Sequence, residues 1–468
     1  MDFDYGVLAR AHRHAMEFIE GLDVRSVAAT LTPGEMRSRL DRPLPAAGVP
    51  ADRTIDDLVA DTDGGHLGSA SGRFFGWVIG GALPSALAAD WLAAAWDNNA
   101  GAAACAPASC VVEEVAGAWL KDILELPRDA SFALTTGCQI AHVTCLAAAR
   151  NAVLRGVGWD VEIDGLVGAP PIRVLANDQR HGSIERAMRI LGLGTKCLEP
   201  LESTVDGRLP AETLRAALGR VSGQPTIVLL DGGDLNVGGF DDYRALIPMA
   251  KAAGAWVHID GAFGLWARAS RDHRHLADGM DLADSWATDG HKWLNTPYDS
   301  GIAMVRDTQA HRAAMTLATS YIAQDSGVRD PLDWTPEWSR RARGLAIYAA
   351  LRELGRDGVA DLIDRCCAHA KAIAAGIGAL PGAELLAMPT LNQGLVRFPD
   401  PMSNDESAHA ARTDAVIEAV NATGECLFSG ATWRGKRAMR ISVVNWRTGE
   451  DDVRRTIRAV AGVLERMG

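Results

Sequence analysis

Residues 255–301 constrain this chain more than any other stretch. An apolar run, Trp256, Val257 and Ile259, stops on Asp260. A second run stops on Thr288-Asp289-Gly290-His291-Lys292-Trp293. Each has the length and character of a buried strand that ends in charged residues. Open α/β sheets place ligands outside the carboxyl ends of their strands, so the pattern predicts Asp260 and Lys292 at one such edge. The two are 32 residues apart (292 − 260), which leaves room for a helix or long loop between strands of one sheet.

A lysine that acts as a nucleophile is held partly buried, where its charge is costly and its amine reachable. An aspartate beside a pyridine nitrogen keeps that nitrogen protonated. Together they describe a site for pyridoxal 5'-phosphate (PLP). HIDGAFG followed by DGHKW resembles the PLP-dependent group II amino-acid decarboxylases of the aromatic-L-amino-acid and glutamate type.

That resemblance covers roughly residues 70–465 and assigns roles along the chain. Lys292 carries the cofactor, Asp260 pairs with its ring nitrogen, Ala262 puts a methyl against the ring, and His291 reaches the phosphate. The family writes Asp-Ala-Ala where Gly261 intervenes here. Upstream, Thr135-Thr136-Gly137-Cys138-Gln139 is a small-residue turn between a strand, Phe132 to Leu134, and an alanine-rich helix, Ile140 to Leu154. Such a turn offers backbone N–H groups and a positive dipole end to a phosphate. It matches the family's phosphate cradle in position, with Cys138 and Gln139 as departures. His181, in His-Gly-Ser-Ile-Glu-Arg-Ala, matches the histidine whose ring stacks on the cofactor opposite the lysine. Asn236, in a glycine-rich loop after the strand Thr226 to Leu230, sits where the family has Asn or Thr near the cofactor's phenolic oxygen and phosphate.

The 468 residues suffice for a large core and more than one domain, and 48% are hydrophobic. A net charge of −12 argues against nucleic acid as a partner. The first residues, MDFDYGVLARAHRH, do not read as a secretory leader, and no apolar run is long enough for a membrane span. The eight cysteines are scattered, without the paired spacing of a zinc site or a disulfide framework, so no metal is expected and a cytoplasmic setting is.

The expected fold is therefore α/β, of PLP fold type I. It comprises an N-terminal helical arm (1–70), a large PLP-binding domain with a mostly parallel, seven-stranded type of sheet (71–344) and a small C-terminal α/β domain (345–468). Family members are homodimers, and the amphipathic first helix is expected to cover the partner subunit or to fold back on its own. Phe75 and Trp77, among glycines, are candidate substrate contacts, with a core role as the alternative. Arg440 lies on a C-terminal strand where related enzymes hold a substrate carboxylate. The family's mobile catalytic loop and the helix behind it correspond to residues 319–344. Its members carry a loop tyrosine that protonates the carbanion. None lies between Gln324 and Trp338; Tyr321 lies just before.

The expected activity is decarboxylation of an L-amino acid through an external aldimine. The missing tyrosine keeps a carbon–carbon lyase or aldolase, an aldehyde-forming oxidase and a transaminase open as alternatives. A non-enzyme that merely binds the cofactor is disfavoured by the presence of both Lys292 and Asp260.

Overall fold

The computed structural model describes residues 5–221, 223–317 and 329–467. The chain divides into two compact units. One comprises Gly80–Ala368 and Pro389–Gly394; the other comprises Met1–Ile79, His369–Met388 and Leu395–Gly468.

The first unit is built on a seven-stranded sheet: β1 (Ser131–Thr135), β2 (Arg173–Asn177), β3 (Leu198–Leu201), β4 (Thr226–Asp231), β5 (Trp256–Asp260), β6 (Ser285–Asp289) and β7 (Gly301–Val305). Its order is β1-β7-β6-β5-β4-β2-β3. Strands β6, β5, β4, β2 and β3 run parallel, while β7 is antiparallel to both β6 and β1. The antiparallel step follows from chain length. Residues 290–300 are too few for a crossover, so the chain returns beside β6 as a hairpin. Between β5 and β6 the chain makes three short 3-10 turns, Gly264–Ala269, Arg274–Ala277 and Met280–Leu282, where a helix or long loop was expected.

The helix Cys138–Arg155 lies against the sheet. Its Ala141, Cys145, Leu146, Ala148 and Ala149 pack in one buried cluster with Val174, Ile227, Trp256 and Ala287. Small side chains let the helix approach closely, which brings its first turn to the carboxyl edge of β5 and β6. It begins two residues earlier than the sequence suggests, because Gly137 serves as its N-cap.

The second unit carries a four-stranded sheet, β8 (Glu384–Ala387), β9 (Gln393–Arg397), β10 (Ser429–Trp433) and β11 (Lys436–Ser442), in the order β10-β11-β9-β8. A two-residue turn joins β10 to β11, with Arg434 at φ 46° and Gly435 at φ 81°, the pairing a tight hairpin needs. The helix Gly6–Glu20 belongs to this unit and buries none of its residues. It meets the helix Ala51–Thr62 through Arg10 and His14, both on Asp56, with His14 Nε2 3.0 Å from Asp56 Oδ1. Among the described residues, no helix is long and apolar enough to cross a membrane.

These units divide the chain elsewhere than at the expected 70/71 and 344/345. The helix Gly344–Gly378 kinks at Gly355. Its first part joins the sheet unit because Tyr348 stacks on Trp119 at 4.9 Å and Ala349 O accepts from Ser85 Oγ at 3.1 Å. The segment before Ile79 joins the other unit because Phe74 bridges Leu427, and Phe75 N–H donates to Leu427 O at 2.8 Å.

Candidate active site

Lys292 sits in the hairpin loop just past β6. Its side chain is 19% exposed, and Nζ lies 2.8 Å from Oδ2 of Asp289, the last residue of β6. The charged residue that ends the second strand is thus Asp289, with the lysine three positions beyond. Asp289 is nearly sealed. Its Oδ1 accepts the Cys138 backbone N–H at 2.6 Å and lies 3.4 Å from His291 Nε2. His291 Nδ1 accepts the Ser300 N–H at 3.3 Å, so a neutral His291 carries its proton on Nε2, toward Asp289. Its ring stacks on Tyr298 at 4.2 Å. Burial pushes the lysine pKa down, but Asp289 first, then Cys138 and Asp260, outweigh it and hold the amine above its ordinary range.

The loop is gripped from outside. Gly80 N–H donates to His291 O at 3.2 Å, and Gly81 N–H donates to Asn295 Oδ1 at 2.7 Å. A methyl group at position 80 would overlap the Lys292 carbonyl oxygen.

Asp260 ends β5, one strand from Lys292. His142, one helical turn past Cys138, places Nε2 3.4 Å from Asp260 Oδ2. Oδ1 accepts the Ala262 N–H at 3.2 Å. Burial pushes this carboxyl up, yet His142 and, after it, His181 and Lys292 hold it well below the usual carboxylate range. Its register neighbour at the end of β4 is Asp231, where burial and the Asp260 charge push the carboxyl well above that range. Gly261, the departure from Asp-Ala-Ala, faces Leu265 and the Ala287 carbonyl at distances that leave no room for a methyl.

Opposite lies the start of the helix Cys138–Arg155, 18 residues long and without a side-chain cap. The Cys138 N–H is taken by Asp289, and the Gln139 side chain reaches the Ser183 carbonyl at 3.2 Å. Gly137 lies so close to Gly301 of β7 that a side chain on Gly301 would overlap its backbone. His181 is the N-cap of the helix Gly182–Ile190, its Nδ1 accepting from Ser183 N at 3.2 Å, and it is exposed. Asn236 is buried, with its N–H on Asp234 Oδ1 at 2.8 Å. The sheet unit therefore brings together Gly137, Cys138, Asp260, Ala262, His291 and Lys292.

The expected substrate contacts fare differently. Phe75 is fully buried and stacks on Phe428 at 5.3 Å, which makes it a core residue of its own unit and not a surface a ligand can reach. Trp77 is 52% exposed, with φ 52°. Arg440 is half-buried on β11. Tyr321, with residues 319–328 of the expected mobile-loop region, lies outside the described residues.

A family model, the pyridoxal-dependent decarboxylase conserved domain, matches residues 33–399. The chain belongs to the pyridoxal-dependent decarboxylase family. Tryptophan decarboxylase 1 of Oryza sativa subsp. japonica is 30% identical over 375 residues, 74% of this chain and 71% of the rice protein. A phenylacetaldehyde synthase of Arabidopsis thaliana is 24% identical over 89% of this chain and 86% of its own. A crystal structure of Oryza sativa TDC with PLP and tryptamine superposes with a TM-score of 0.92 at 23% identity, covering all of both chains. The fold is PLP fold type I and the chain is a PLP-dependent carboxy-lyase of the amino-acid decarboxylase type.

The residues present fit that cofactor. They offer a buried amine, a buried anion, and an uncapped helix N-terminus. Beside the loop, the hydroxyls of Thr296 and Ser300 are buried with no protein hydrogen-bond partner. Three residues escaped the sequence reading. Asp289 was overshadowed by the lysine after it. His258 lies two residues before Asp260, hence on the same face of the strand, and His142 four residues after Cys138, hence on the same face of the helix.

Proposed function

We propose that Lys292 holds PLP as a Schiff base, that Asp260 meets its ring nitrogen, and that the chain decarboxylates an L-amino acid with an aromatic or apolar side chain. When bound, PLP supplies an electron sink for the Cα bond that breaks. The chain's own residues do the rest. Asp260, kept anionic, holds a proton at the ring nitrogen. Asp289 keeps the lysine amine over the site and ties it to the phosphate end through Cys138. Gly137, Gln139 and Asn236 would hold the cofactor's oxygens, and His181 would pack on its ring.

One observation carries this reading: the largely buried Lys292 and the anionic Asp260 stand at the ends of adjacent parallel strands, beside a helix start whose N-cap residue offers no side chain. The substrate class rests on the rice relative's name. A cytoplasmic homodimer is part of the proposal; the dimer is supported by the helix Gly6–Glu20, whose apolar positions are at most half-buried within the chain, with Leu8 exposed.

The test is a panel of L-amino acids with detection of CO₂ and product, alongside Lys292→Ala. CO₂ and an amine are expected from the wild type, and neither from the variant, which also loses the visible absorbance of bound PLP. Retention of that absorbance would overturn the lysine assignment. A second reading has support in the sequence: no tyrosine lies between Gln324 and Trp338, and a relative is a phenylacetaldehyde synthase. An aldehyde released in place of the amine selects it.

A further inference from the structure

Behind Asp260 a line of polar groups runs through an otherwise apolar interior. His142 Nδ1 lies 3.0 Å from His258 Nε2, and His258 Nδ1 lies 2.9 Å from Ser285 Oγ. Ser285 Oγ in turn accepts the indole N–H of Trp256 at 2.9 Å. His142, His258 and Ser285 are completely buried, and Trp256 nearly so. Trp256, His258 and Asp260 are alternate residues of β5 and so share one face of the sheet. The line thus follows the strand from its start to the cofactor edge.

The carboxylate end gives it a direction. An ionised carboxylate can only accept, so His142 Nε2 donates to Asp260, and a neutral His142 then accepts on Nδ1 from His258 Nε2. A neutral His258 in turn accepts on Nδ1 from the Ser285 O–H. The indole of Trp256 can only donate, and the serine oxygen takes that bond as well.

We infer that His142, His258 and Ser285 form a one-way positioning relay that holds Asp260 as an oriented anion, and so sets the protonation of the cofactor's ring nitrogen. This rests on the pairing of Asp260 with that nitrogen proposed above. Burial, the largest cause, pushes His258 down to about 3, which agrees with a neutral imidazole. The other groups facing the relay are Cys138, whose Sγ lies 3.4 Å from His142 Nε2, with the charges of Lys292 and Asp289 around it, and Cys145, which hydrogen-bonds to Ser285. Cys138, His142 and Asp260 place one donor atom each within 4.8 Å of one another, a set compatible with a metal ion. The relay uses His142 Nε2 as a proton donor, and a metal there would have to displace that proton.

The first experiment uses PLP-free wild-type protein labelled with ¹⁵N-histidine, with His142→Gln and His258→Gln for assignment. At about pH 8 both imidazoles are expected to carry their proton on Nε2 and none on Nδ1. In Ser285→Ala, His258 should lose that preference. A proton on His258 Nδ1 in the wild type would overturn the relay. Because no cofactor is present, this result stands whether or not Lys292 proves to be the PLP lysine, which Lys292→Ala tests separately.

The second experiment titrates PLP into His142→Leu and His142→Gln and follows the bound absorbance against pH. Loss of the donor should weaken PLP about tenfold or more and make the spectrum change with pH. Gln, whose amide N–H replaces the donor, should recover most of both. Unchanged affinity and a flat spectrum in a folded His142→Leu protein would overturn the proposal. Should that variant fail to fold, Ser285→Ala, which removes one hydroxyl, gives the same reading.

Discussion

The amine of Lys292 and the carboxylate of Asp289 form an ion pair at 2.8 Å, and the same carboxylate receives the backbone N–H of Cys138 at 2.6 Å through its other oxygen. One residue thereby ties the reactive amine to the turn that opens the helix Cys138–Arg155, although the two lie about 150 residues apart in sequence. An ammonium with its charge offset in this way can be buried beside the site without a large penalty.

Asp289→Asn removes the largest influence that raises the Lys292 pKa, so burial then dominates and the pKa falls. The pH midpoint for chemical modification of the amine in PLP-free protein should move to lower pH. Because the folded value lies above the ordinary 10.5, the pair's contribution to stability is complete below that pH and fades as pH rises through the folded value. At neutral pH the variant should therefore lose roughly 2 kcal/mol, read from urea unfolding.

Gly80→Ala should act on the lysine without touching its side chain. The added methyl overlaps the Lys292 carbonyl oxygen, and backbone on both sides must shift. A loss of about 1–3 kcal/mol is expected, together with reduced PLP content in the purified protein. Full PLP content with an unchanged melting temperature would refute the close approach.

Acid should weaken the fold well before carboxylates are titrated. Burial holds His258 and His311 neutral, each at about 3, whereas the unfolded chain takes up their protons near 6.5. The unfolded state then binds more protons, so stability falls as pH drops from about 6.5 toward 3, by up to about 1.4 kcal/mol per pH unit for each histidine. Asp260 works in the lower range. Its folded value is depressed, so its contribution is full above the ordinary 3.8 and is lost progressively as pH falls from there through the folded value. Melting temperatures at pH 7, 6 and 5 check the histidine effect.

Glu113 is sealed between two arginines. Its Oε2 lies 2.7 Å from Arg340 Nη1 and its Oε1 3.4 Å from Arg329 Nη1, with all three side chains at most 15% exposed. Glu113→Gln leaves two buried guanidinium groups without their anion and should cost about 3–5 kcal/mol by urea denaturation. Glu113→Gln combined with Arg340→Met should recover part of that loss.

Much of the sheet unit could be read from local pattern. Strands β4, β5 and β6 are short apolar runs ending in charge, and Asp260 and Lys292 stand near the edge those runs predict. What escaped depends on register between distant segments. No local rule tells that Asp289 will meet the Cys138 N–H, or that His142 on a helix will face His258 on a strand. The grouping of the N-terminal segment with the C-terminal sheet escaped for the same reason, since Phe74 meets Leu427 more than 350 residues later. Strands β8 and β10 escaped because they are short and partly exposed, with no clean alternation of apolar and polar residues.

The hairpin from β6 to β7 has a consequence for how this chain can vary. Both of its strands are locked in register, Asp289 opposite Gly301, and Gly301 is wedged against Gly137. The segment bearing Lys292 is therefore a span of fixed length, anchored at each end. Adding or deleting one residue there must strain the anchored loop or slip the register of β7, and a slip would turn every side chain of β7 to the opposite face. Substitutions in this segment should prove far more tolerable than changes in its length.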